Sequence, residues 1–249
     1  MEPNRAALRP LAPLEDPLEY LPCSQIAEYQ KGQVVYNQNA PSTNIYLILE
    51  GRVKVSCLAD RGRQVLVNIY QAEEFFGESA FLHPAQRPEG AIALENTKLM
   101  SWTASEVEGM VMRQPRLGVA FAQIMAQRTT EFTERIESFG ADNLARRLVR
   151  CLISLSARMG TPQEDGSVKM VPVTHELLAE DIGTSREIVS QYMNQFRKQG
   201  YLQYSRKGMV LYPDAYDAWL RDASRRAANV LAPGEPTQPP PAGRQGLKE

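Results

Sequence analysis

The chain has 249 residues, 43% apolar and 23% charged, ordinary proportions for one large or two average globular domains and wrong for a collagen-like or mostly disordered polymer. Lys and Arg total 28 against 29 Asp and Glu, a formal charge of −1, which excludes a bulk polycation. No run approaches the roughly 20 apolar residues a membrane helix needs, and residues 1–13 hold no apolar signal core, so a cytoplasmic protein with no membrane contact is expected.

Residues 26–102 alternate short apolar runs with turn residues. Val34-Val35-Tyr36, Ile45-Tyr46-Leu47-Ile48-Leu49, Val53-Lys54-Val55, Val65-Leu66-Val67-Asn68-Ile69 and Ala91-Ile92-Ala93-Leu94 are punctuated by Lys31-Gly32, Asn39-Ala40-Pro41, Glu50-Gly51, Asp60-Arg61-Gly62 and Phe76-Gly77. About eight short strands in this space would leave long exposed edges as one open sheet, so closure into a β-roll or jelly roll is expected.

Thr103 with Glu106 forms a capping box that opens a helix toward Arg113, and Gln114-Pro115 starts a second helix running to Phe139, with Gly140 as its stop. Leu117, Phe121, Ile124, Met125, Phe132, Ile136 and Phe139 recur at helical spacing, with Arg128, Arg135, Glu131 and Glu134 between them. About 25 residues span about 37 Å, more than a small roll covers, so part of this stripe is read as meeting the same helix of a second subunit. Asp142 is expected to cap a third helix whose apolar face includes Leu144, Leu148, Leu152 and Leu155, with Arg146, Arg147, Arg150 and Arg158 outside it; residues 160–167 read as a turn-rich connector.

Charge is asymmetric along the chain. Residues 1–140 are net −4, residues 141–226 net +3, and the remainder neutral, compatible with polyanion binding at one end. In that end, residues 174–196 read as helix, tight turn, helix. Thr174 caps the first helix, Gly183 permits the turn, small Ala179 allows a close crossing, and Thr184 with Glu187 forms a second capping box. Leu177, Leu178, Ile182, Ile188, Val189, Met193 and Phe196 make the inner face. Ser185, Arg186, Glu187, Ser190, Gln191 and Asn194 lie outside it, types suited to phosphates and base edges. Arg197-Lys198 and Gly200 end the second helix, and residues 201–212 read as a β-hairpin with Arg206 and Lys207 at its tip: a winged helix-turn-helix. Residues 227–249, rich in Pro and Gly with almost no apolar anchor, are expected to be disordered.

No metal or catalytic site is expected. Cys23, Cys57 and Cys151 are odd in number and widely spaced, His83 and His175 lack flanking ligands, and no Ser/His/Asp set or phosphate-binding loop is present.

In this order, Lys31-Gly32, the run from Ile45 through Gly51 to Val55, Phe76-Gly77-Glu78 and Thr184-Ser185-Arg186-Glu187-Ile188-Val189-Ser190 resemble the CRP/FNR family of bacterial transcription regulators over residues 20–220. The resemblance implies an α+β fold. A cyclic-nucleotide-binding-type antiparallel β-roll would occupy 20–113 after an extension at 1–19, a dimerisation helix 114–140, and a winged helix-turn-helix 141–226. It implies a homodimer on a palindromic operator in double-stranded DNA, with RNA polymerase as a further partner. DNA contacts would come from Thr184, Ser185, Arg186, Glu187, Ser190 or Gln191, Arg206 and Lys207. Dimer contacts would come from Leu117, Phe121, Ile124, Met125, Arg128, Phe132, Ile136 and Phe139.

Relatives that bind cyclic AMP carry Phe-Gly-Glu, a short helix, then Arg-Ser-Ala. Gly77, Glu78, Ser79 and Arg87 match the first half and the arginine, but Pro88-Glu89-Gly90 replaces the rest: proline lacks a donor and Glu89 sets an anion beside a phosphate. The effector is therefore expected not to be cyclic AMP, leaving another small molecule or none. The iron–sulfur branch needs clustered N-terminal cysteines, and a haem branch would have only His83 on the roll. The rival reading is a cyclic-nucleotide-responsive module acting through protein partners.

Overall fold

The computed structural model describes residues 15–59, 62–82, 86–205 and 207–215. His83, Arg206, most of the 1–19 extension and the whole 227–249 tail lie outside them. Two compact units are present: within the described residues, 15–151 with 173–194, and 152–172 with 195–215.

The first unit contains the roll. One antiparallel sheet has the order β1 (Gln25–Tyr29), β8 (Thr97–Thr103), β3 (Asn44–Glu50), β6 (Phe75–Phe76); the other has β2 (Val34–Tyr36), β7 (Gly90–Ala93), β4 (Arg52–Leu58), β5 (Gln64–Gln71). The period-two alternation of strands sorts their side chains into two cores. Ile45 and Leu47 of β3, Met100 and Trp102 of β8, and Phe75 of β6 pack against Val107 and Met110 of α1 (Ala104–Arg113) and Leu117 of α2 (Pro115–Ala141). Their neighbours Ile48, Leu99 and Phe76 face inward and join Tyr36, Val53, Val55, Tyr70 and Ala91 in the roll's interior.

The capping box forms as expected: the Glu106 N–H donates to the Thr103 hydroxyl and the Thr103 N–H to the Glu106 carboxylate. Pro115 opens α2, whose 27 residues span about 40 Å. Gly140 does not stop it. The helix runs through to Ala141, since glycine weakens a helix interior by only about 1 kcal/mol without breaking its hydrogen bonds.

Asp142 is likewise not the cap of α3 (Leu144–Met159). Asn143 holds that position, its side-chain oxygen accepting from the Arg146 N–H at 3.0 Å. Asp142 instead ends α2 and forms an ion pair with the Arg146 guanidinium at 2.8 Å.

The 160–167 stretch is not a plain connector. Gly160–Pro162 forms β9, which pairs with β10 (Val168–Met170). In the second unit these strands extend the expected hairpin of β11 (Leu202–Ser205) and β12 (Gly208–Leu211) into a sheet of order β11-β12-β10-β9. Among the described residues no helix is long and apolar enough to cross a membrane.

Candidate nucleic-acid interface

The helix-turn-helix consists of α4 (His175–Ile182) and α5 (Arg186–Lys198). The Thr174 hydroxyl caps α4 by accepting from the Leu177 N–H at 3.2 Å. Gly183 makes the turn at φ 71°, and its N–H and that of Thr184 both return to the Ala179 carbonyl. A side chain there would be strained, and a Cβ would lie 2.9 Å from the Phe139 ring. Leu178, Ala179, Ile182, Val189, Met193 and Phe196 are buried.

The expected second capping box is out of register: with Arg186 as the first residue of α5, Glu187 is its second, and the third is Ile188, which has no carboxylate to return. Because α5 begins at Arg186, Ser185 rather than Thr184 flanks it. Hydrogen bonds from Glu187's own N–H and from the Ser185 hydroxyl hold the Glu187 carboxyl below the usual carboxylate range, so it stands ionised as an acceptor. Ser185, Arg186, Glu187, Gln191 and Asn194 are exposed, and Thr184 is half-buried.

Ser190 is more constrained than its neighbours. Its hydroxyl donates to the Arg186 carbonyl at 2.8 Å and lies 2.8 Å from His175 Nδ1. Burial, and then the Arg186 charge, lower the His175 pKa. Sequence reasoning weighed His175 only as a metal ligand. Its place one residue after the Thr174 cap, on the helix preceding the outward face, was the usable signal.

At the hairpin tip Lys207 is exposed, its N–H donating to the Ser205 hydroxyl at 3.1 Å. Arg206 lies outside the described residues.

A cationic clasp holds the end of α4 against the roll. Lys54 of β4 meets the Glu180 carboxylate at 2.9 Å, a pair with 13% and 9% side-chain exposure. Arg135 of α2 donates to the Val67 carbonyl of β5 at 3.0 Å and to the Asp181 carbonyl at 2.9 Å, and pairs with the Asp181 carboxylate at 3.1 Å. Arg147 donates to the Ile182 carbonyl at 3.1 Å. None of this was foreseen, although one signal existed. Glu180-Asp181 sits at the negative end of a helix, where acids are unfavourable unless cations cover them.

In the roll, the residues matched to a nucleotide cassette are bonded within the chain. Gly77 sits at φ 87°. Arg87, only 1% exposed, donates from Nη1 to the Gly77 carbonyl at 2.8 Å and the Ser79 hydroxyl at 3.1 Å, and from Nη2 to the Asn44 carbonyl. Its guanidinium stacks 4.1 Å over the Tyr36 ring, while its Nε is buried without a hydrogen bond. Tyr36, Tyr46, Tyr70 and Phe76 stack along the interior. Glu78 pairs with Arg128 of α2 at 2.8 Å, and Arg128 also donates to the Phe75 carbonyl. Beside this pair, Phe75, Phe81, Phe121 and Met125 help line an apolar cavity of about 120 Å³, close to the size known to hold a benzene-sized molecule.

The expected dimer residues separate. Leu117 is 0% exposed in its own protomer and has no surface for a partner; Arg128 is buried against Glu78 and Phe75. Phe121 and Ile124 pack partly on the roll, and Met125 lines the cavity. Phe132, Ile136 and Phe139 remain exposed, Ile136 at 72%.

Residues 26–114 match the family description "Cyclic nucleotide-binding domain" and residues 146–215 match "Crp-like helix-turn-helix domain". Over 191 residues the chain is 25% identical to the CRP-like cAMP-activated global transcriptional regulator of Mycobacterium tuberculosis, covering 75% of this chain and 84% of that protein. The fold is similar to that of FixK2 from Bradyrhizobium japonicum, with TM-score 0.67 and 17% identity over 85% of this chain and 99% of that one. A CRP/FNR-family regulator from Thermus thermophilus gives TM-score 0.62 and 23% identity over 80% and 98%. With a two-sheet roll, a long helix and a helix-turn-helix in that order, the chain belongs to the CRP/FNR family of DNA-binding transcription regulators.

Proposed function

We propose that the protein acts in the cytoplasm as a homodimer that inserts α5 into the major groove of a two-fold symmetric operator, with half-sites about one helical turn, roughly 34 Å, apart. One observation carries this reading: α5 buries Val189, Met193 and Phe196 while Arg186, Glu187, Gln191 and Asn194 remain exposed on it. Arg186 fits the O6 and N7 acceptors of a guanine, Glu187 a cytosine amine, and Gln191 an adenine. Thr184, Ser185, Lys207 and Arg206 are assigned to backbone phosphates. RNA polymerase is the partner that turns operator occupancy into regulation.

The roll's effector is proposed not to be cyclic AMP. The arginine that would neutralise a cyclic phosphate is engaged with two backbone carbonyls and Ser79, and the glutamate that would accept from a ribose is paired with Arg128. Glu89 adds an opposing carboxyl near Arg87, 3.5 Å from the Tyr36 hydroxyl. A different small effector, or none, fits these contacts.

The test is a gel-shift titration on a duplex selected from random DNA and on its scrambled counterpart. Arg186→Ala should cost about 1–3 kcal/mol on the selected site and little on the scrambled one, whereas Lys207→Ala should weaken both alike. Equal losses for Arg186→Ala on the two duplexes would remove the base-reading role. Cyclic AMP added to the same titration should leave affinity unchanged.

A further inference from the structure

We propose that His175, on the helix before the reading helix, is a positioning residue that fixes the polarity of Ser190, so that Ser190 meets DNA as a hydrogen-bond acceptor and selects a base whose major-groove edge bears an amine. This rests on the reading of α5 as the base-contacting helix.

A serine hydroxyl has one proton and two lone pairs. The Ser190 proton is directed to the Arg186 carbonyl at 2.8 Å, the i−4 bond open to a serine inside a helix. The contact from His175 Nδ1 to the same oxygen, also 2.8 Å, therefore requires the proton of that bond to sit on the imidazole. Nδ1–H donates, which takes one Ser190 lone pair and leaves the other. Nδ1 carries a proton both in this neutral tautomer and in the imidazolium, so the bond holds in either state.

Ser190, half-exposed on a helix that presents Arg186, Glu187 and Gln191 outward, thus has no proton left to donate without breaking a bond already made. In the major groove an acceptor finds a partner in adenine N6 or cytosine N4 on the contacted strand, and is repelled by the O6 and N7 of guanine or the O4 of thymine. Without His175 the hydroxyl is freer to rotate and can serve as donor or acceptor.

The experiment uses the full chain and duplexes selected from a random library by the wild-type protein, by Ser190→Ala, and by His175→Phe, His175→Asn and His175→Gln. The Asn amide nitrogen falls near the place of Nδ1, whereas the Gln amide reaches the place of Nε2, so only Asn restores the donor. Ser190→Ala should flatten one position per half-site, and His175→Phe and His175→Gln should flatten that same position by about fivefold, the scale of one hydrogen bond. His175→Asn should keep the wild-type preference. On the wild-type duplex, deleting the amine of the base at that position should cost the wild-type protein about fivefold and Ser190→Ala nothing further.

An unchanged preference in His175→Phe, equal losses in the Asn and Gln variants, or indifference of the wild type to amine deletion would each overturn the proposal. Should His175→Phe fail to fold, the Asn and Gln pair carries the same comparison. A wild-type protein that selects no motif would instead sink the base-reading function itself, an outcome distinct from all of these.

Discussion

Glu89 sits in the roll with its carboxyl pushed above the usual range, first by burial and then by the Glu78 charge. A carboxyl whose folded pKa exceeds its unfolded value holds its proton more firmly in the native state. The stability it contributes is complete below the unfolded value and is lost as pH rises through the folded one. Glu89→Gln should therefore narrow the difference in urea midpoint between pH 4 and pH 7; an unchanged difference would show that Glu89 is not responsible. Gly183→Ala puts a side chain at φ 71° and against Phe139, and urea unfolding should register a loss of about 1–2 kcal/mol. At this scale the sequence was most readable where a local rule has one solution. Thr103 with Glu106 could hardly be anything but a cap, and the glycine between two apolar helical runs had to be the turn. It was least readable where neighbours compete: Asp142 and Asn143 are both good caps, as are Thr184 and Ser185, and only the path of the chain decides which one the helix uses.

Among the elements, α4 is fastened from three directions, and the Lys54–Glu180 pair is the most buried of its ion contacts. Removing one partner leaves the other charged in a poorly solvated place, so Lys54→Met or Glu180→Met alone should each destabilise by about 1–3 kcal/mol, with the double variant recovering part of the loss. A thermodynamic cycle from urea melts measures this, and additive losses would mean the pair is not coupled. This clasp was hidden from sequence reasoning because Lys54 alternates outward in a strand like any solvated lysine and its partner lies 126 positions away. The β9–β10 hairpin was hidden for a different reason. Two three-residue strands of mixed polarity give no detectable period, and their pairing depends on the long-range register of β10 with β12. The strands of the roll, by contrast, announced themselves through regular turn residues.

For the whole molecule, regulators of this family bind DNA and are typically dimers, and we propose the exposed Phe132 and Ile136 on α2 as the surface that meets a second copy. Ile136→Glu should convert a dimer at about 10 μM to a monomer by light scattering, and should abolish the advantage of a palindrome over a single half-site; an unaltered mass would place the interface elsewhere. The stripe of α2 was legible as a pattern, but its division between the protomer's own roll and an outward surface was not. Both uses demand the same apolar residues, and only the roll's position tells them apart.

Arg135 reaches from α2 to the backbone of β5 with one nitrogen and to the carboxyl end of α4 with the other. A rotation of that long rod would work against both bonds at once, since a single guanidinium makes them. Repacking β5 beside Val67 should therefore already change how tightly DNA is held with no effector added; an unaltered gel-shift affinity would show that the two bonds act independently.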